Sequence, residues 1–99
     1  MATTKEYRNF VLEQLDLLNE ITCKPMMGEY LLYYNGLLFG GIYDDRLLVK
    51  ITSSNKKYHM EEAIPYENAK PMYFITDVDN KEILRDIVLD TYEGLIKNE

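Results

Sequence analysis

The residues able to do acid–base or nucleophilic chemistry are few and scattered in this chain. The one histidine, His59, precedes the carboxylates Glu61 and Glu62 and could in principle serve as a general base. No nucleophile lies at a motif spacing from it, so we interpret His59 as a solvated helix residue. The one cysteine, Cys23, would need a cation such as Lys24 to lower its pKa, and a buried or inert thiol is the simpler interpretation. The sequence therefore predicts no catalytic residues and no enzyme.

One segment resembles the beginning of a calcium-binding loop. Asp77, Asp79 and Asn80 have the spacing of its first ligands, but the sixth position is Glu82 rather than Gly and the twelfth is Val88 rather than Glu. Helix capping explains Asp79 more simply. No Cys/His set has zinc spacing. We expect no metal site and no cofactor.

Two other short motifs are interpreted structurally. Asp44-Asp45 could bind a cation but is first of all typical of a turn. Gly40-Gly41 lies within a predicted strand and is not a phosphate-binding loop. Glycine inside a strand indicates a bend or the close approach of another backbone.

Composition and charge limit the class of protein. The chain has 99 residues, of which 46% are hydrophobic, and this suits one domain (1–99) with one core. Its formal net charge is −6, which argues against binding to nucleic acid or to an anionic membrane. A lone cysteine implies no oxidising compartment, and no segment has the apolar length of a membrane span or a signal peptide. We therefore expect a cytoplasmic protein.

Three helices are predicted to flank the candidate residues. Apolar residues recur at helical spacing over residues 4–19 and 80–97, and Thr3/Glu6 and Asp79/Glu82 have capping-box spacing. Residues 53–62 indicate a short polar helix, with Ser53 as its N-cap. Residues 21–27 contain a proline and predict a connector or an irregular edge segment.

Strands occupy the space between the helices. Asn35-Gly36 and Asp44-Asp45 predict two-residue turns between strands at 30–34, 37–43 and 46–51. Residues 64–68 indicate a short edge strand or turn, and residues 72–76 another short strand. The order α-β3-α-β2-α is α+β, with an antiparallel sheet and the first and last helices packed on one face.

Two-residue turns would fix which face of the sheet each residue occupies, with Leu32 opposite Phe39. The predicted core face carries Leu31, Tyr33, Leu38, Ile42, Leu47, Val49 and Ile51. The other face carries Tyr30, Leu32, Tyr34, Leu37, Phe39, Tyr43, Arg46, Leu48 and Lys50. Tyrosine is enriched at protein interfaces, so we expect Tyr30, Tyr34, Phe39 and Tyr43 to bind a protein partner, which could be a second copy of the chain. The alternative is that these tyrosines are half-buried core residues with hydrated hydroxyls.

Three separated blocks of the sequence resemble one known family. Residues 24–36 (KPMMGEYLLYYNG), 38–50 (LFGGIYDDRLLVK) and 64–72 (IPYENAKPM) are similar, in this order, to the N-terminal domain of the TfoX/Sxy family. The resemblance spans roughly residues 7–96. Pro25 and Asn68 depart from the usual pattern, which bears on local loop geometry.

The resemblance implies a fold of the secretion-chaperone-like type in the order α-β3-α-β2-α, and it implies no catalytic residues. The family's full-length regulators control natural competence together with a transcription activator and carry a second, C-terminal domain. We expect a stand-alone N-terminal domain here, and hence a protein-interaction or regulatory module. The alternatives are a direct nucleic-acid-binding regulator and a small-ligand-binding domain.

Overall fold

The computed structural model describes residues 2–97, which form six strands, two α-helices and one 3₁₀ helix. The elements in chain order are α1 (Lys5–Gln14), β1 (Ile21–Met26), β2 (Glu29–Tyr34), β3 (Leu37–Ile42), β4 (Leu47–Val49), the 3₁₀ helix (Ser53–Tyr58), β5 (Glu61–Ala63), β6 (Met72–Phe74) and α2 (Lys81–Ile96). The strands form one sheet in the order β1-β2-β3-β4-β6-β5, and every neighbouring pair is antiparallel. The predicted α+β class is confirmed.

The sheet has one strand more than the sequence predicts before the middle helix. Residues 21–26, expected to form a connector or an irregular edge segment, are the edge strand β1. The Asn35 N–H donates to the Glu20 carbonyl (3.1 Å), so residues 20 and 35 form a hydrogen-bonded pair just before β1. Because such pairs alternate along an antiparallel ladder, the even-numbered residues of β1 point their backbone N–H and C=O groups toward β2. Pro25 is odd-numbered, and the N–H that it lacks would point away from the sheet. An edge strand tolerates proline at such a position.

Both α-helices begin one residue later than the capping pattern suggests. Thr4 rather than Thr3 caps α1, and its hydroxyl accepts from the Tyr7 N–H (3.1 Å). Asn80 rather than Asp79 caps α2. Thr3 instead donates its hydroxyl to the Glu29 carboxylate at 2.7 Å, which ties the start of the chain to β2. The helix α1 also ends at Gln14, short of the predicted residue 19.

Tight turns connect the strands of the β1–β4 meander. Asn35 and Gly36 have φ of 51° and 78°, and Asp44 and Asp45 have φ of 54° and 56°, as two-residue hairpin turns of the predicted kind require. The backbones of Tyr43 and Arg46 exchange two hydrogen bonds (2.9 and 3.0 Å) across the second turn. The turns and their closing pairs are therefore as predicted.

A β-bulge between these turns reverses part of the predicted register. Leu32 pairs with Gly40 rather than with Phe39, so Phe39 is the extra residue of β3. A Cβ on Gly40 would lie 2.2 Å from the carbonyl oxygen of Leu48, which confirms the close backbone approach expected at this glycine. Side chains alternate along a strand, so one extra residue in β3 reverses which residues of β2 lie on the same sheet face as Leu47 and Val49 of β4.

The core lies between one face of the sheet and the two α-helices. The helical layer contributes Val11 of α1, Leu15 at the C-cap of α1, and Leu84, Ile87 and Val88 of α2, and all five are buried. The fully buried sheet residues of this cluster are Leu32, Phe39, Ile42, Leu47 and Val49. The core positions of Ile42, Leu47 and Val49 were predicted correctly, and Ile51 packs against the same cluster. The bulge makes the assignment wrong for Leu31, Tyr33 and Leu38.

A buried polar network joins the end of β4 to α2. Thr52, and not the predicted Ser53, caps the 3₁₀ helix in a capping box with Asn55. The Asn55 side chain is fully buried and donates to the Lys50 carbonyl (2.9 Å) and to the Thr91 hydroxyl (2.8 Å). Satisfied buried amides of this kind hold a segment in one position. The network therefore fixes the backbone at Lys50, whose side chain belongs to the surface described next.

Candidate functional site

The face of the sheet opposite the helices, here called the helix-free face, is the candidate site. The strand register places Lys24, Met26, Leu31, Tyr33, Leu38, Tyr43, Lys50 and Met72 on it. The buried apolar side chains of α1 and α2 belong to the same apolar core cluster as the buried residues of the other face. A groove of about 810 Å³ lies on the helix-free face, and helical residues contribute nothing to its described lining. Its floor is formed by Met26, Leu31, Leu38 and Met72.

The segment 64–71 folds back over this face and forms one wall of the groove. Arg46 holds it in place by donating Nη2 to the Ile64 carbonyl (3.0 Å) and Nε to the Tyr43 carbonyl (3.2 Å). Within this segment the Pro65 side chain is buried, while the Tyr66 side chain is 58% exposed. The wall is thus anchored at its base and presents an aromatic side chain to solvent.

Tyr43 and Tyr66 close one end of the groove. Their ring centroids lie 6.0 Å apart at 51°, and the Tyr43 ring covers Gly41, where a Cβ would approach it to 2.7 Å. Burial, reinforced by the neighbouring Tyr66 and Glu29 side chains, raises the pKa of Tyr43. Its hydroxyl therefore stays protonated at neutral pH. This end of the groove is aromatic.

Three lysines surround the apolar floor. Lys50 and Lys70 line the groove, and Lys24 lies directly opposite Leu31 in the β1–β2 register with its ammonium 5.0 Å from the Tyr33 ring centroid. Glu62 is the one carboxylate among the described lining residues. The four ion pairs found in residues 2–97 all involve the helical elements or the turn after α1. Within that part of the chain none of the three lysines forms an ion pair. The same register also places Glu29, opposite Met26, and Glu61, opposite Phe74, on this face, so the face carries both signs of charge and the three lysines lie closest to the apolar floor.

The four residues predicted to bind a partner do not share one exposed surface. Phe39 is fully buried in the core, and Tyr34 packs edge-on against Tyr92 of α2 with ring centroids 4.9 Å apart. Tyr30 also faces the core side, where the Arg8 guanidinium lies 5.2 Å from its ring centroid. Tyr43 is on the helix-free face but is only 5% exposed. The prediction that all four share one sheet face is therefore wrong, because the bulge turns β2 over, and their binding to a partner stays a prediction.

The groove floor consists largely of residues that the sequence analysis had assigned to the core or left aside. Leu31 and Leu38 were taken for core residues, and Met26 and Met72 were assigned no role. One signal pointed to the correct register, namely the two adjacent glycines at 40 and 41. Glycine within a strand accompanies bulges, and a bulge at this position would have reversed the assignment.

The residues considered for catalysis lie apart from the groove. His59 is exposed, follows the 3₁₀ helix with φ of 54°, and borders a second cavity of about 290 Å³ between β6 and α2. Cys23 lies on the core side of β1, and burial raises its pKa although Arg8 acts in the opposite direction. A raised pKa is the reverse of what an activated thiolate needs.

The acidic motifs have structural partners. Asp45 accepts from the Thr4 N–H at 2.9 Å, and the Asp44 N–H donates to Glu29 at 3.1 Å, so this pair forms the turn that the sequence predicts. Asn80 accepts from the Ile83 N–H as the cap of α2. Residues 2–97 contain no group of three or more His, Cys, Asp or Glu side chains placed to hold a metal ion. In the same part of the chain, no helix combines the length and apolarity that crossing a bilayer demands.

Comparison with known proteins gives two matches. The family description of the TfoX N-terminal domain matches residues 13–90. A protein of Spirochaeta aurantia, described as an uncharacterised 12.7 kDa protein in the trpE 5′ region, is 32% identical over 80 residues. That alignment covers 79% of this chain and 70% of the relative.

Proposed function

The chain belongs to the TfoX N-terminal domain family, and on this basis we propose that it is a non-enzymatic, regulatory protein-interaction module of the cytoplasm. The feature that carries the proposal is the apolar groove on the helix-free face. A sheet face with an uncovered apolar floor and a polar rim is typical of a surface that binds another molecule. The family supports a regulatory role related to competence.

The partner contacts this module through the groove floor rather than through the aromatic residues named from the sequence. Leu31 and Leu38 are partly exposed at its centre, and Met26 is 36% exposed at its edge. Methionine adapts its shape to different partners. Phe39 and Tyr34 stabilise the fold beneath this surface, so their replacement would test folding and not binding.

A photo-cross-linking side chain at position 38 tests this proposal in cells of the native host. We expect it to form an adduct with one or a few proteins, and we expect the same probe at Leu89, an apolar residue of α2 that is 36% exposed, not to form it. The variant Leu31→Thr/Leu38→Thr keeps β-forming residues but makes the floor polar, so it should lose the partner captured by the wild type. The control Leu17→Thr/Leu89→Gln changes two exposed apolar residues on the helical side and should retain it.

The proposal fails if the groove variant is folded by circular dichroism and still captures the same partners in the same amounts. Light scattering on the same samples determines the oligomeric state. A second copy of the chain as partner would appear as a dimer that dissociates in the groove variant alone.

A small-ligand-binding domain is the second candidate, because a volume of about 810 Å³ falls in the range of small-molecule sites. In that case a low-molecular-weight compound would co-purify with the wild type and be absent from the groove variant. Native mass spectrometry of protein purified under mild conditions distinguishes the two functions.

A further inference from the structure

We propose that the groove binds an extended peptide segment of a partner protein in which apolar side chains alternate with carboxylates. This inference rests on the proposed function and adds the chemistry of the partner. Its basis is the arrangement of three lysines without ion pairs around an apolar floor, on a chain whose net charge is −6.

The lysines lie on both sides of the floor and not at a single point. Lys24 is on β1 and Lys50 directly follows β4, so three strand spacings separate their backbones across the sheet. With neighbouring strands about 4.8 Å apart, and a further offset along the strand, the separation is about 15 Å. An extended chain rises about 3.3 Å per residue and crosses this distance in four to five residues.

A peptide of that length matches the groove in two ways. Alternate side chains of an extended segment point to opposite sides, so one set can enter the floor at Leu31 and Leu38. The other set can reach the ammonium groups of Lys24, Lys50 and Lys70 along the rim. A small amphiphile with one head group would satisfy only one side of the groove.

A second copy of this chain fits the surface poorly. In a two-fold symmetric dimer the same surface meets itself, so the two copies would bring six lysines into one interface. Like charges placed together at an interface disfavour the complex. Duplex DNA fits poorly as well, because its phosphates would meet an apolar floor and an acidic protein.

Titration of the purified protein with short peptides, followed through backbone amide NMR signals, tests the inference. The probe is a blocked peptide of alternating Glu and Leu, and its matched control is a peptide of alternating Lys and Leu. We expect the acidic peptide to shift the signals of Leu31, Leu38 and Lys50, to bind at least about tenfold more tightly than the basic one, and to weaken as salt is added.

Charge reversal identifies the lysines involved. Lys50→Glu/Lys70→Glu should weaken binding of the acidic peptide about tenfold or more, since each site loses an attraction and gains a repulsion. The control Lys5→Glu/Lys56→Glu changes the net charge equally at two exposed positions of the helical side and should bind as the wild type does. Lys70→Glu alone, in an exposed segment, gives the same test if the double variant does not fold.

Three results would overturn the inference. Equal affinity for the two peptides would show that charge does not determine binding. Signal shifts confined to the helical side would show that the peptide binds outside the groove. Binding of decanoate at the groove without binding of the acidic peptide would assign it to a small amphiphile instead. If these peptides fail while cross-linking from position 38 still depends on Leu31 and Leu38, the partner is a protein of different chemistry and the proposed function stands.

Discussion

The bulge in β3 makes neighbouring residues differ sharply in what they contribute to stability. Phe39 is fully buried in the core under the helices, whereas Leu38 is partly exposed on the floor of the groove. Without the bulge, the alternation of the strand would exchange these environments. Truncating each residue to alanine therefore measures the register directly.

The expected magnitudes are well separated. Phe39→Ala removes a buried ring and should lower the free energy of unfolding by about 3–5 kcal/mol. Full burial of a leucine contributes about 1.5–3 kcal/mol, so the half-buried Leu38 should lose about 1 kcal/mol on truncation. With an m-value of about 1.5 kcal/mol/M, the urea midpoint should fall by about 2–3 M for Phe39→Ala and by less than about 1 M for Leu38→Ala.

Equilibrium urea unfolding followed by circular dichroism measures both shifts. Phe39→Leu is the control: it keeps most of the apolar volume and should lose less than about 1.5 kcal/mol. Wild-type m-values in all variants would show that only stability has changed. A loss for Leu38→Ala as large as that for Phe39→Ala would refute the bulge and, with it, the composition of the groove floor.

Three further predictions concern the elements that support the site. Gly40→Ala should lower the melting temperature by several degrees, because its Cβ would lie 2.2 Å from the Leu48 carbonyl oxygen; an unchanged melting curve would contradict this close approach. Asn55→Ala should cost about 2–3 kcal/mol in urea unfolding, since it leaves buried partners without a hydrogen bond, and a loss below about 0.5 kcal/mol would exclude this role. Burial and donation of its hydroxyl to Asp90 raise the pKa of Tyr58, so the stability that this tyrosine adds is present below its ordinary value of 10.0 and is lost as the pH rises above it. Tyr58→Phe should flatten that fall in the urea midpoint, and an identical fall in both proteins would contradict the prediction.

Turn residues and apolar periodicity predicted the helices and turns well, because these elements depend mainly on residues that are close together in sequence. Asn35-Gly36 and Asp44-Asp45 form the tight turns expected of residues that tolerate positive φ. The long apolar stripe of residues 80–97 became α2, Lys81–Ile96. The α+β class and the packing of both α-helices against one sheet face followed from the order of these elements.

Predictions that needed the partner strand were less successful. The segment 21–27 has a proline and weak periodicity, and it becomes the strand β1 only because β2 supplies its hydrogen bonds and leaves Pro25 pointing outward. The cap of α1 is Thr4 rather than Thr3, and the Thr3 hydroxyl instead donates to Glu29, which is distant in sequence. Neither contact has a local signature.

The amino-acid sequence by itself determined the kinds of elements, their order, the turns, the acidic charge and the absence of a recognisable catalytic motif. Only the tertiary structure decided which face of β2 is buried. The bulge places Phe39 in the core beneath the two helices, and the residues that bury it there come from parts of the chain far away in sequence. The same decision leaves Leu31 and Leu38 on the helix-free face, and it transfers the candidate site from the aromatic residues to an apolar groove bordered by lysines.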